Sequence, residues 1–387
     1  MLITLNFFPS ASVAATPKAG AKCSQSGSIS LYKSKKFICT RTGKILVWKE
    51  IVSPKVSTTP YSESKNDSGV PTPNKLNEVH PKTPSSFDDL IQNFQGIRYA
   101  AWSKSRNKIM LAKKVTMRVD IKIGPNSKLS YNTPQIAFEN VAKLYEGFTI
   151  PKQINMIAFN YLDREWAINV MDSLFKHPYE SSIRPFFDVN CKSEQNCGLA
   201  NIWTDSKMEV YFPISMPSIG DGSGSGTLES HEFTHAIQEA VMNQVRPEPL
   251  TNPWPPSWYQ EGQAEFTEHA AMYSDSFTKF DFARKEISGS LYKSRKYDSH
   301  FIEKFFSLEP TQRHFTTNED RWNQYDLGAM FIEVLVALKG PESTMQIYSL
   351  ASQGVAFNEA FKLVFDKSFD TALPIISKVI ALQIGNA

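Results

Sequence analysis

The chain has 387 residues, 41% of them hydrophobic, which suits one large core-forming unit plus accessory segments. Its 42 basic and 39 acidic side chains nearly cancel to a net charge of +3, which argues against a dedicated nucleic-acid binder. No run of about 18 apolar residues occurs, so no membrane-spanning helix is expected.

Taken in chain order, the first 20 residues read as a signal peptide. Leu2 to Ala15 is apolar and ends in small residues, Ala11-Ser12-Val13-Ala14-Ala15. No basic residue precedes Lys18, so either translation starts upstream or the signal is atypical; the other reading is an ordinary unstructured N-terminus. Export would make the protein secreted or cell-envelope (extracytoplasmic). The four cysteines form two local pairs, Cys23 with Cys39 and Cys191 with Cys197, and none sits in a CxxC knuckle. On an exported chain they read as two disulfides closing small loops, the alternative being four buried thiols.

Residues 21–52 combine short β-prone runs with Gly, Ser and Lys, which predicts a small β module with one staple. Lys33 to Lys36 reads as a solvated turn, or as a contact to an anionic cell wall. The module resembles the short two-cysteine units, ending in a Leu-Val-Trp-type strand, found near the N-terminus of some exported bacterial proteins. Residues 53–86, rich in Pro, Ser, Thr and Asn, read as a flexible linker.

The main domain is expected over 87–387. Residues 88–91 and 97–102 suit a helix. Val115-Met117-Val119-Ile121-Ile123 alternates as a half-buried strand does, and Gly124-Pro125-Asn126 stops it. A helix is expected over 136–145, a strand over 154–159 and a helix over 163–174. Met208-Val210-Phe212 reads as a strand, and as the sheet edge that an extended peptide could join. Gly220 to Gly226 is glycine-rich but lacks the Gly-Lys-Ser/Thr ending of a phosphate loop, so it reads as a mobile loop at a cleft edge. Beyond it helices are expected over 227–243, 257–273, 276–288, 298–306, 325–339, 342–352, 356–366 and 371–383, giving an α+β fold with a helical second half.

The chemistry concentrates in His231-Glu232-Phe233-Thr234-His235. Positions four apart lie one turn apart on one helix face, so both imidazoles can reach one ion. Glu232 stands about 100° further round the helix, where a carboxylate can take a proton from water that zinc has made acidic. With only seven His in the chain, this spacing rarely arises by chance; the plain alternative is a surface helix with solvated side chains. Thr227 and Ser230 offer N-capping oxygens.

A catalytic zinc usually takes three protein ligands. Downstream stands Trp258-Tyr259-Gln260-Glu261-Gly262-Gln263-Ala264-Glu265. His-Glu-x-x-His followed by Trp-x-x-Glu-Gly-x-Ala-Glu resembles the gluzincins, zinc metallopeptidases whose third ligand is a Glu on a second helix. The resemblance implies a zincin-like domain and one Zn2+ held by His231, His235 and Glu261. It also implies that Glu265 holds a ligating His by a hydrogen bond. Glu265 and His269 are rival third ligands. The 25 residues between His235 and Glu261 exceed the gap usual in the aminopeptidase branch, and the extra length is Pro-rich. No His-x-x-Gly-x-x-His extension follows, which disfavours metzincins. Tyr325-Asp326-Leu327-Gly328 resembles the gluzincin segment whose Tyr hydroxyl stabilises the oxyanion. Arg321 and Asn323 are polar alternatives, and a packed core Tyr is the bland one. These likenesses span roughly 200–385 and are sharp only in the short motifs.

The expectation is a secreted zinc metallopeptidase acting on peptides or proteins, with Glu232 and Tyr325 catalytic. Endopeptidase is favoured because no Gly-Ala-Met-Glu-Asn-like segment is present to hold a substrate amine. The alternative is a cell-surface binding or non-peptidase protein on the same scaffold.

Overall fold

Two disulfides tie the described part of the chain, Cys23–Cys39 and Cys191–Cys197, as the cysteine spacing suggests. The structure, a computed structural model, describes residues 17–23, 29–33, 35–42, 45–50, 80–175, 182–205, 207–217, 224–242, 253–287, 289–292, 294, 296–307 and 318–386. The expected signal peptide up to residue 16, linker residues 53–79, glycine-loop residues 220–223 and the Pro-rich stretch 246–252 lie outside them. No described helix is long and apolar enough to cross a membrane.

Strands β1 (Ile29–Tyr32), β2 (Lys35–Thr42) and β3 (Ile45–Glu50) form an antiparallel meander in that order. The Cys23–Cys39 bond staples it beneath buried Phe37.

Residues 80–86, part of the expected linker, are among those described. The imidazole of His80 stacks on Tyr99 with ring centroids 3.7 Å apart. The fold is mixed α+β. A four-stranded sheet has the order β4 (Arg118–Ile123), β5 (Gln153–Phe159), β7 (Glu209–Ser215), β6 (Trp203–Thr204). The first three strands run parallel and β6 is antiparallel. Period-2 alternation splits β5 and β7 between two cores. Ile154, Met156, Ala158, Val210, Phe212 and Ile214 enter the large core, which α2 (Pro134–Leu144) shares through Phe138 and Val141. Ile157, Phe159 and Tyr211 pack on the other face with Ala167, Ile168 and Met171 of α3 (Arg164–Leu174) and Phe187 of α4 (Arg184–Asn190). Burial on both faces is what parallel strands require.

Two expectations fail here. Met208 to Phe212 is not the sheet edge, because β6 pairs with β7 at Trp203–Tyr211 and Thr204–Val210, and β6 is the outer strand. Residues 87–93 form turns rather than a helix, and α1 (Ile97–Leu111) begins after a short 3-10 turn.

The second half is helical: α5 (Thr227–Met242), α6 (Ser257–Met272), α7 (Phe277–Ile287), α8 (Gly289–Tyr292), α9 (Ser299–Ser307), α10 (Asn318–Lys339), α11 (Pro341–Ala351), α12 (Phe357–Phe365) and α13 (Phe369–Gln383). The 22-residue α10 starts seven residues earlier than expected and runs through the core. It crosses α6 so closely that a Cβ on Gly262 would lie 2.3 Å from the carbonyl carbon of Gly328, and one on Gly328 would lie 2.3 Å from the Trp258 carbonyl oxygen. Two side-chain-free positions thus bring the backbones of two sequence motifs into contact. Trp258 locks the crossing from within, its ring 4.6 Å from Phe306 and 4.8 Å from Phe331.

Candidate metal centre

Helix α5 begins directly after Gly226, whose φ of +85° lies in the left-handed region. A Cβ there would also strike the Tyr131 ring at 2.6 Å, so glycine alone suits this entry to the helix. Ser230, expected as a cap, instead lies inside the helix; its hydroxyl is buried and has no hydrogen-bond partner among the described residues. Phe233, Ala236 and Ile237 turn into the core, with Phe233 5.3 Å from Phe138. The 3.6-residue period then leaves His231, Glu232 and His235 facing a cleft between α5, α6 and α10. Helix α6 supplies Glu261 to the same cleft, and α10 supplies Arg321 and Tyr325.

One ligand atom each from His231, His235 and Glu261 lie within 4.8 Å of one another. Glu261 Oε2 stands 3.1 Å from His235 Nε2 and 3.5 Å from His231 Nε2. A tetrahedral ion with bonds of about 2.1 Å sets its ligands roughly 3.4 Å apart, so this donor set fits zinc in both chemistry and spacing.

The far sides of both imidazoles are engaged. His231 Nδ1 lies 3.1 Å from Glu268 Oε2 and 3.4 Å from Glu265 Oε2, carboxyl oxygens that can accept its proton. His235 Nδ1 lies 2.9 Å from Gln238 Oε1. The orientation of that amide is fixed because its Nε2 donates to the Gln260 carbonyl at 3.0 Å and to Gln263 Oε1 at 2.9 Å. Gln263 in turn donates to Thr344 Oγ1 at 2.8 Å. Both Nε2 atoms are turned toward Glu261, the orientation in which they could ligate an ion there.

The charges respond to this crowding. Burial pushes the Glu261 carboxyl up, but His235 and His231 beside it outweigh burial and hold it well below the usual carboxylate range. Burial lowers His231, yet Glu261, Glu265 and Glu268 raise it well above an ordinary imidazole. His235 is raised by Glu261 against the same burial. Both imidazoles sit among carboxylates that favour a cation, which a divalent ion satisfies as well as protons do. Glu232 is raised by burial, with His231 and His235 opposing. Burial and the charge of Glu261 push Tyr325 up to about 12, so its hydroxyl remains a donor at neutral pH.

Of the residues singled out from the sequence, His231, Glu232, His235, Glu261 and Tyr325 line one cleft of about 670 Å³. The Tyr325 ring stacks on His231 at 5.9 Å. The rival ligand His269 is buried behind Glu268, with Nε2 3.4 Å from Glu268 Oε1 and Nδ1 donating to the Glu265 carbonyl at 2.9 Å. Asn323 is buried and does not line the cleft. Sequence reasoning missed Glu268 and Gln238. Glu268 falls two turns after Glu261, a spacing that repeats the face of α6, and Gln238 stands three after His235. It also missed the apolar wall: Ile183, Pro185 and Phe186 at the start of α4, with Ile202 and Trp203 at β6. No protein-family model, curated protein or solved structure matches this chain.

Proposed function

We propose that the protein is a zinc-dependent metallopeptidase of gluzincin type, acting outside the cytoplasm. The observation that carries this reading is the convergence of His231, His235 and Glu261 at ligand spacing beside the free-facing carboxyl of Glu232. His231, His235 and Glu261 would hold the ion. Zinc supplies, when bound, a Lewis acid that lowers the pKa of water to roughly 7.

The chain's own groups do the rest. Glu232, held among two imidazoles and raised by its burial, accepts a proton from the attacking water and passes it to the leaving amine nitrogen. Tyr325 keeps its proton and donates a hydrogen bond to the peptide oxygen as charge develops there. The network of Glu268, Glu265, Gln238 and Gln263 fixes the imidazoles so that no reorganisation accompanies the reaction. Pro185, Phe186 and Trp203 offer an apolar wall to a peptide side chain. The two disulfides support an oxidising compartment and hence export.

The test pairs bound metal with turnover. Wild-type protein is expected to bind one zinc and hydrolyse casein or unstructured peptides. Glu232→Gln should retain the zinc and lose activity. A wild-type chain that binds no zinc overturns the reading and leaves the binding-protein alternative.

A further inference from the structure

Arg321 sits in the first turns of α10, one turn before Tyr325, so the two side chains share a helix face above the cleft. It is exposed, and among the described residues no carboxylate pairs with it. Its neighbour is the half-exposed ring of Trp322, 5.7 Å from the guanidinium carbon. The other ionisable groups lining the cleft are the imidazoles His231 and His235 and the carboxyls Glu232, Glu239 and Glu261. Both imidazoles are engaged with Glu261. Arg321 is thus the one cationic side chain, among the described lining residues, left to face a ligand.

A guanidinium with no ion-pair partner among the described residues, beside a cleft lined by carboxyls, selects its occupant. Away from the ion site, Glu232 and Glu239 repel a substrate carboxylate, and Arg321 offers the planar donor fork that fits one with two hydrogen bonds. Pro185, Phe186 and Trp203 meanwhile favour an apolar side chain. We infer that Arg321 is a specificity-determining residue that directs the enzyme to peptides carrying a carboxylate next to an apolar residue at the cleavage site. The carboxylate can come from a Glu or Asp side chain or from a free C-terminus. This inference rests on the peptidase reading for its substrate class, and the test separates the two.

The probe is a set of fluorescent heptapeptides of Ala and Leu with blocked ends. One Glu is walked through the sequence, each peptide is matched by its Gln counterpart, and one further member has a free C-terminal acid in place of the amide. Hydrolysis is measured with the zinc-loaded wild type, and binding with Glu232→Gln by anisotropy. At one position the Glu peptide, or the free-acid peptide, should be favoured over its neutral match about tenfold in kcat/KM and in affinity, as one charge-assisted contact allows. Which member wins identifies the carboxylate source. The preference should weaken as salt rises. In Arg321→Gln the ratio should fall toward one, and Arg321→Glu should reverse it in favour of a Lys-bearing peptide, an outcome that mere loss of packing cannot produce. Hydrolysis with equal rates for acid and neutral peptides overturns this inference and spares the peptidase reading. Selective binding without hydrolysis does the opposite. A preference that survives Arg321→Gln also overturns it.

Discussion

Replacing Gly328 by alanine should damage both the fold and the site, and the structure gives the size of the effect. The new Cβ would stand 2.3 Å from the Trp258 carbonyl oxygen and 3.0 Å from the Gly262 Cα, where ordinary contact begins near 3.4 Å. Both obstacles are backbone, so no side chain can swing aside, and α6 and α10 must part by about 1 Å. Overpacking of this kind costs about 1–3 kcal/mol, and the rigid neighbours place Gly328→Ala at the upper end. The site suffers as well, because Glu261 directly precedes Gly262 on one helix and Tyr325 stands one turn before Gly328 on the other. A displacement near 1 Å at a reacting constellation can lower turnover on the order of a hundredfold. Denaturant unfolding should show the lost stability, and kcat/KM at saturating zinc the lost alignment. Gly289→Ala serves as the control: nothing lies within 4 Å of its Cβ, and it should be neutral or slightly stabilising. If Gly328→Ala matches wild type in both assays, the close crossing of α6 and α10 is wrong.

Further outcomes follow from the same geometry. Glu268→Gln should weaken zinc binding about 10- to 100-fold in a chelator competition, and more than Glu265→Gln does, because Glu268 lies nearer His231 Nδ1, at 3.1 Å against 3.4 Å. Equal effects would assign the imidazole to both carboxylates alike. Chelation of the metal should lower the melting temperature reversibly; at zinc 1,000-fold above Kd the ion adds roughly 4 kcal/mol. Replacing Cys191 and Cys197 together by serine should cost about 2 kcal/mol for a loop with a sequence separation of 6. Since this staple adjoins α4, which carries Phe186 on the cleft wall, KM should rise while zinc content stays constant.

Much of this fold is written in local pattern. Strong 3.6-residue periodicity placed α5, α6, α11, α12 and α13 within about two residues, because their apolar stripes meet a single core. The first turns of α10 are not legible in the sequence, since Asn318 to Asn323 is mostly polar and exposes Trp322, so no apolar stripe marks them. β6 is only two residues long, too short for any alternation, so in the sequence β7 reads as the edge. Within the site, the three ligand candidates and Glu232 were legible because two motifs fix their spacing. Glu268 and Gln238 were not, since their role depends on how α5 and α6 face each other, which no spacing within either helix shows.

On the proposed reading, one ion sits between α5 and α6 on His231, His235 and Glu261. Anomalous diffraction at the zinc edge, from crystals of the full chain grown with zinc, tests it most directly. A single strong peak is expected about 2.0–2.2 Å from His231 Nε2, His235 Nε2 and a Glu261 carboxylate oxygen. A peak held instead by Glu265, Glu268 or His269, or no peak in that cleft, would contradict it.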